Sequence, residues 1–126
     1  VEELNPDAGA CGIKETDLAS IATLTLRTSG IEVSEAAQPY LYVNANAMLQ
    51  RSTTSGKPVG CIVGLRVSFR AVAKWPAAGF RSGKHPPIEE ACASGHLLTG
   101  MPSTMRNNVL SELETAIKLC LADLDY

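Results

Sequence analysis

Cys92 and His96 stand four residues apart, and a thiol near an imidazole is the usual basis of a nucleophile and its base. On one extended strand, however, they share a face at about 13 Å, too far for proton transfer. A bridged Cys92 and an ordinary His96 are therefore expected. The stretch Gly79-Phe80-Arg81-Ser82-Gly83-Lys84-His85 approaches a phosphate loop but is one residue short, and His85 stands where a Ser or Thr would hold magnesium. It reads as a solvated loop. His85 and His96 are the two histidines, and no acid lies between Glu35 and Glu89. A metal centre needs three or four converging ligands, so no metal is expected. No G-x-S-x-G elbow occurs. Glu89, Glu90, Glu112 and Glu114 read as solvated charges rather than a carboxylate pair across a cleft. No catalytic residue and no cofactor are expected.

The four cysteines, Cys11, Cys61, Cys92 and Cys120, include no C-x-x-C pair. An even number in a short chain fits two bridges in an exported protein; four buried thiols in a cytosolic one are the alternative. The chain begins at Val1, as cleavage of a signal peptide or trimming of the sequence would leave it. The expected location is exported, periplasmic or secreted. No apolar run reaches the ~18 residues of a membrane span, since Arg66 and Arg70 interrupt the stretch from Val59 to Ala73.

The chain has 126 residues, 45% apolar and 19% charged, which excludes disordered and fibrous classes and suits one domain. Its net charge of −2 is unevenly placed. Residues 1–36 hold seven acids and two bases, and residues 88–126 hold six acids and two bases. Between them, residues 37–87 hold seven bases and no acid at all. Such a block bears on partners rather than on fold.

The elements that must position these charges follow from periodicity. Residues 1–14 are acidic and aperiodic and read as a flexible lead-in to a single α+β domain over 15–126. Thr16 is placed to cap a helix from Asp17, whose face runs through Leu18, Ile21, Ala22, Thr25, Leu26 and Ser29, with Gly30 at its C-terminal exit. A strand opens at Pro39, with Leu41, Val43, Ala45, Ala47 and Leu49 alternating against Tyr40, Tyr42, Asn44, Asn46 and Met48. After the turn Ser52–Pro58, a long strand puts apolar residues at every odd position from Val59 to Trp75, while Gly64, Arg66, Ser68, Arg70 and Lys74 fall on the even ones. Pro76–Pro87 is a basic loop. Ile88–Leu98 is a third, less regular strand ending near Gly100, and an amphipathic helix follows from Pro102 or Ser103.

The order α-β-β-β-α predicts a three-stranded antiparallel sheet with both helices on one face and the other face open. Pairing residue 40 with residue 69 and 49 with 60 sets Cys11 near Cys61. It sets Cys92 near residue 71, within reach of Cys120 at the end of the last helix. The bridges expected are Cys11–Cys61 and Cys92–Cys120.

Three parts of this pattern resemble small exported bacterial proteins of unknown function. They are the helix ending Leu26-Arg27-Thr28-Ser29-Gly30-Ile31-Glu32-Val33, the opening strand Pro39-Tyr40-Leu41-Tyr42-Val43-Asn44-Ala45-Asn46-Ala47, and the long strand with its closing helix. The resemblance covers residue 17 onward and implies an exported αβββα domain. It carries no catalytic residues.

The open face is then the candidate site: Tyr40, Tyr42, Asn44 and Asn46 beside Arg66, Arg70 and Lys74. Arginines and aromatics on a bare sheet can stack and pair with anions. The expected function is a non-enzymatic exported domain that binds an acidic protein, a glycan or a lipid headgroup, or a second copy sheet to sheet. Single-stranded nucleic acid is the weakest candidate, because export argues against it. Two alternatives stay open. One is a small hydrolase or transferase with a site of scattered polar residues. The other is an inhibitor or immunity-like protein acting through loop 76–87.

Overall fold

The computed structural model describes residues 1–31, 33, 40–72 and 88–123, with backbone alone for 71, 72 and 88–91. Lys74, Trp75 and the loop 76–87 lie outside the described residues. Three strands, β1 (Tyr40–Arg51), β2 (Pro58–Val72) and β3 (Ile88–Gly100), form one antiparallel sheet in the order β1-β2-β3. A short helix, α1 (Pro6–Ala10), precedes the first of two long helices, α2 (Glu15–Thr28), and the second, α3 (Pro102–Asp123), follows β3. The α-β-β-β-α order of the main elements is thus the α+β arrangement expected from periodicity.

Alternation builds the core. Val43, Ala45 and Ala47 of β1 and Cys61, Val63, Leu65 and Val67 of β2 point to one side and are buried. Leu18, Ala22 and Leu26 of α2 and Met105, Val109, Leu113 and Ile117 of α3 close over them. The hairpin register differs by one residue from the expected pairing: Tyr40 faces Arg70 and Leu49 faces Cys61. A bulge at Gln50/Arg51 absorbs the extra residue at the turn.

Helix α2 starts earlier than Thr16 implied. Lys14 occupies the cap position without a side-chain cap bond. Gly12, at φ 77°, turns the chain after Cys11, so the helix can begin as soon as buried Ile13 is seated. The exit is as the sequence indicates. Gly30 adopts φ 84°, its N–H bonds Arg27 O, and the Ile31 N–H bonds Leu26 O. These are the paired bonds of a Schellman ending.

The segment 1–14 is not a free lead-in. Glu2 N–H bonds Val43 O at 2.9 Å, the Asn5 side chain bonds both backbone groups of Ala47, and Asp7 accepts the Leu49 N–H at 3.0 Å. Ala8, Cys11 and Ile13 are buried beneath it. An edge strand carries unmet donors and acceptors, and these polar side chains meet them. Composition suggested disorder because the same polar residues serve equally well in solvent.

Both disulfides are present, Cys11–Cys61 and Cys92–Cys120, with Cα separations of 6.1 and 5.3 Å. The first lies in the core and joins the N-terminal segment to β2; the second fastens the end of α3 to β3. Closing loops of 50 and 28 residues corresponds to about 4 and about 3.5 kcal/mol in the chain-entropy account. Cys92 lies beside Ser68 rather than near residue 71. Val67 faces Ser94 and Phe69 faces Ala91, so Cys92 and Ala93 together oppose Ser68 in a bulge, with Cys92 at φ 57°. The bulge reverses the inward parity of β3, which explains its irregular pattern in sequence.

Candidate functional site

The open face is built from the even positions of β1 and β2 and, beyond the bulge, the odd positions of β3. Its cross-strand pairs are Tyr40 with Arg70, Tyr42 with Ser68, Asn44 with Arg66 and Asn46 with Gly64. On the other side of β2, Gly64 faces Leu97 and Arg66 faces Gly95. The expected set Tyr40, Tyr42, Asn44, Asn46, Arg66 and Arg70 therefore shares one surface, and the structure divides it into two unlike halves.

In the first half the groups engage one another. The Arg70 guanidinium carbon stands 3.6 Å from the Tyr42 ring centroid, and Arg70 Nε donates to Ser68 Oγ at 3.2 Å. Ser68 is fully buried under this roof although it belongs to the open face. The Tyr42 hydroxyl donates to the Glu2 carboxylate. That carboxylate, with partial burial, holds the Tyr42 phenol above its ordinary range, and the Arg70 charge pulls weakly the other way. An acid from outside the acid-free block thus sits beside its aromatic corner.

The second half is a shallow depression of about 440 Å³ lined by Asn44, Asn46, Gly64, Leu65, Arg66, Gly95, His96 and Leu97. Its floor is low because Gly64 and Gly95 present no side chain, and a Cβ built on either would meet nothing within 4 Å. Arg66 and Asn46 are exposed and Asn44 is half-buried. Toward the turn end the face becomes apolar, with Met48 61% and Leu97 75% exposed. Sequence reasoning named Asn44, Asn46 and Arg66 but missed the two glycines. A glycine inside a strand marks a place where something approaches the backbone closely, and that signal was legible.

The Arg66 guanidinium and the carboxamides of Asn44 and Asn46 line one concavity. It can hold a carboxylate, sulfate or phosphate oxygen set.

The opposite face of β3 holds a polar seam that the sequence did not suggest. His96 points toward α3, and its Nδ1 lies 2.9 Å from Glu112 Oε1. Glu112 is therefore engaged with β3, whereas Glu114 pairs along the helix with Lys118 at 2.8 Å. Ser94 Oγ and His96 Nε2 are buried and make no hydrogen bond among the described residues. An acid, an imidazole and a hydroxyl in series resemble the parts of an activated nucleophile. Here both Ser94 Oγ and His96 Nε2 are buried, and they do not bond each other. Elsewhere on the helical side, Arg106 Nε donates to Asp17 Oδ2 at 3.0 Å, which lowers the Asp17 carboxyl from its ordinary range and raises Arg106. That pair is exposed and fastens α2 to α3 only weakly.

Among the described residues no group of three or more His, Cys, Asp or Glu side chains converges as a metal site would require. No helix among them is long and apolar enough to cross a membrane. The two disulfides are compatible with an oxidising, exported location. Lys74 and loop 76–87, on which a wider cationic face and an inhibitor-like reading would depend, lie outside the described residues. No family model, no curated protein and no solved structure matches this chain.

Proposed function

We propose that this protein is an exported, non-enzymatic binding domain whose open sheet face holds an anionic group of its partner. The observation that carries the reading is exposed Arg66 directly across from Asn44 and diagonal to Asn46, beside a floor made by Gly64 and Gly95. The stretch 37–87 supports it, because it carries seven bases and no acid. The ligand class is a carboxylate, sulfate or phosphate displayed on an acidic protein, a glycan or a lipid headgroup. Arg66 and the carboxamides orient the anion, and exposed Leu97 and Met48 supply apolar contact beside it.

The chain's net charge of −2 makes the test clean, since bulk attraction does not draw it to a polyanion. Retention on immobilised sulfated and carboxylated polysaccharide, and on vesicles containing anionic lipid, should fall as salt rises. Arg66→Glu should abolish it while leaving both disulfides and the circular dichroism spectrum unchanged. Equal retention of Arg66→Glu and wild type on all three probes overturns the proposal. Arg70 is the wrong position for this test, because its stacking on Tyr42 and its bond to Ser68 belong to the fold of the face itself.

A further inference from the structure

The two edges of the sheet are treated differently. The outer edge of β1 is covered by the chain's own Glu2, Asn5 and Asp7. Along the outer edge of β3 from Ala93 to Gly100, no backbone hydrogen bond arrives from the described residues. Natural sheets blunt such an edge with lysine, proline, a bulge or an inward charge, and the one bulge of β3, at Cys92 and Ala93, falls at the start of this stretch and leaves Ser94–Gly100 regular. Residues 93–100, Ala-Ser-Gly-His-Leu-Leu-Thr-Gly, contain no Lys, Arg, Asp, Glu or Pro. Their one titratable group, His96, is turned inward onto Glu112.

We propose that β3 is a self-pairing edge: two copies of this chain join Ala93–Gly100 antiparallel about a twofold axis perpendicular to the sheet. One six-stranded sheet results, with both helix layers on one side. Three observations select a second copy over another occupant. The edge is uncharged, so a copy meets itself without like-charge repulsion and a charged peptide finds no handle. Exposed apolar residues gather around it: Leu97 (75%) on the strand, Met101 (62%) at its end and Leu119 (59%) on α3. The area is sufficient. Eight strand residues span about 27 Å and a sheet with its helix layer is about 20 Å thick, giving roughly 1,100 Å² over both subunits. That exceeds the ~1,000 Å² that marks a specific interface.

The pairing sets both open faces on the same side. It places the partner's strand beside Gly95 and Leu97, so that the shallow depression gains a wall on its open flank. This last consequence rests on the anion-binding reading; the dimer does not.

Sedimentation equilibrium of the full chain, without ligand, from micromolar to submillimolar concentration tests it. Twice the chain mass of 13.3 kDa is expected for wild type, and the single mass for Leu97→Lys/Thr99→Lys and for Leu119→Glu. Leu24→Lys, on the exposed side of α2, should stay dimeric, as should Arg66→Glu, which separates failure of the dimer from failure of anion binding. A wild type of single mass throughout, or a dimer that survives both edge variants, overturns the proposal. Hydrogen exchange on wild type gives a reading independent of any variant. The amides of residues 93–100 should exchange more slowly as protein concentration rises, and exchange independent of concentration also overturns it.

Discussion

Asn5 bonds Ala47 twice: its side-chain amide donates to the Ala47 carbonyl at 2.6 Å and accepts the Ala47 N–H at 3.0 Å. The carboxamide presents the same donor and acceptor pair that a neighbouring strand would, so one side chain stands in for a residue of β-ladder. With Glu2 above and Asp7 below, it closes the β1 edge.

Asn5→Ala should therefore destabilise the protein by about 1–3 kcal/mol, the net worth of two hydrogen bonds. Asn5→Asp should be no better, because its carboxylate faces the Ala47 carbonyl. Urea midpoints with intact disulfides measure both. A midpoint unmoved by Asn5→Ala would mean that the segment 1–14 does not hold the edge.

The contact between Glu2 and Tyr42 makes a pH prediction with a definite sign. A phenol whose folded pKa is raised binds its proton more tightly in the folded state. Its contribution to stability is complete below the ordinary value of 10.0 and is lost as pH rises through the folded value. Glu2→Gln should bring the Tyr42 titration, read as the phenolate absorbance difference against Tyr42→Phe, toward the ordinary range. Tyr42→Phe should flatten the alkaline fall in stability. Coincident titration curves for Glu2→Gln and wild type would show that the carboxylate does not act on the phenol.

Ser94 supplies a test of the seam under α3. A buried hydroxyl without a partner loses its hydration and gains nothing, and Ser94 Oγ has none among the described residues, so Ser94→Ala should be neutral or stabilising by up to about 1 kcal/mol. A loss larger than about 1 kcal/mol in chemical denaturation would mean that the hydroxyl is bonded in solution.

Periodicity alone determined the layer architecture of this protein. Alternation at Leu41–Leu49 and Cys61–Phe69 and the three-and-four spacing of Leu18–Leu26 and Met105–Leu121 assign these side chains to one face, whereas Val59, at the bulge, is exposed. A sheet with one greasy face has few ways to be covered. The two disulfide pairings follow from that arrangement, since antiparallel order brings Cys11 to Cys61 and Cys120 to Cys92. What tertiary structure decided lies where local pattern is silent or reversed. The bulge at Cys92 and Ala93 turns Ser94 and His96 toward α3, because one inserted residue inverts the parity of a strand. Asn5 and Asp7 read as solvated in sequence, yet they bond β1, because a polar side chain is satisfied equally by water and by an unpaired strand edge. The division of the open face depends on where long side chains reach. Arg70 folds onto Tyr42, while Gly64 and Gly95 leave the ground beside Arg66 uncovered. Spacing places residues on a face, but only packing in three dimensions settles which of them engage each other there.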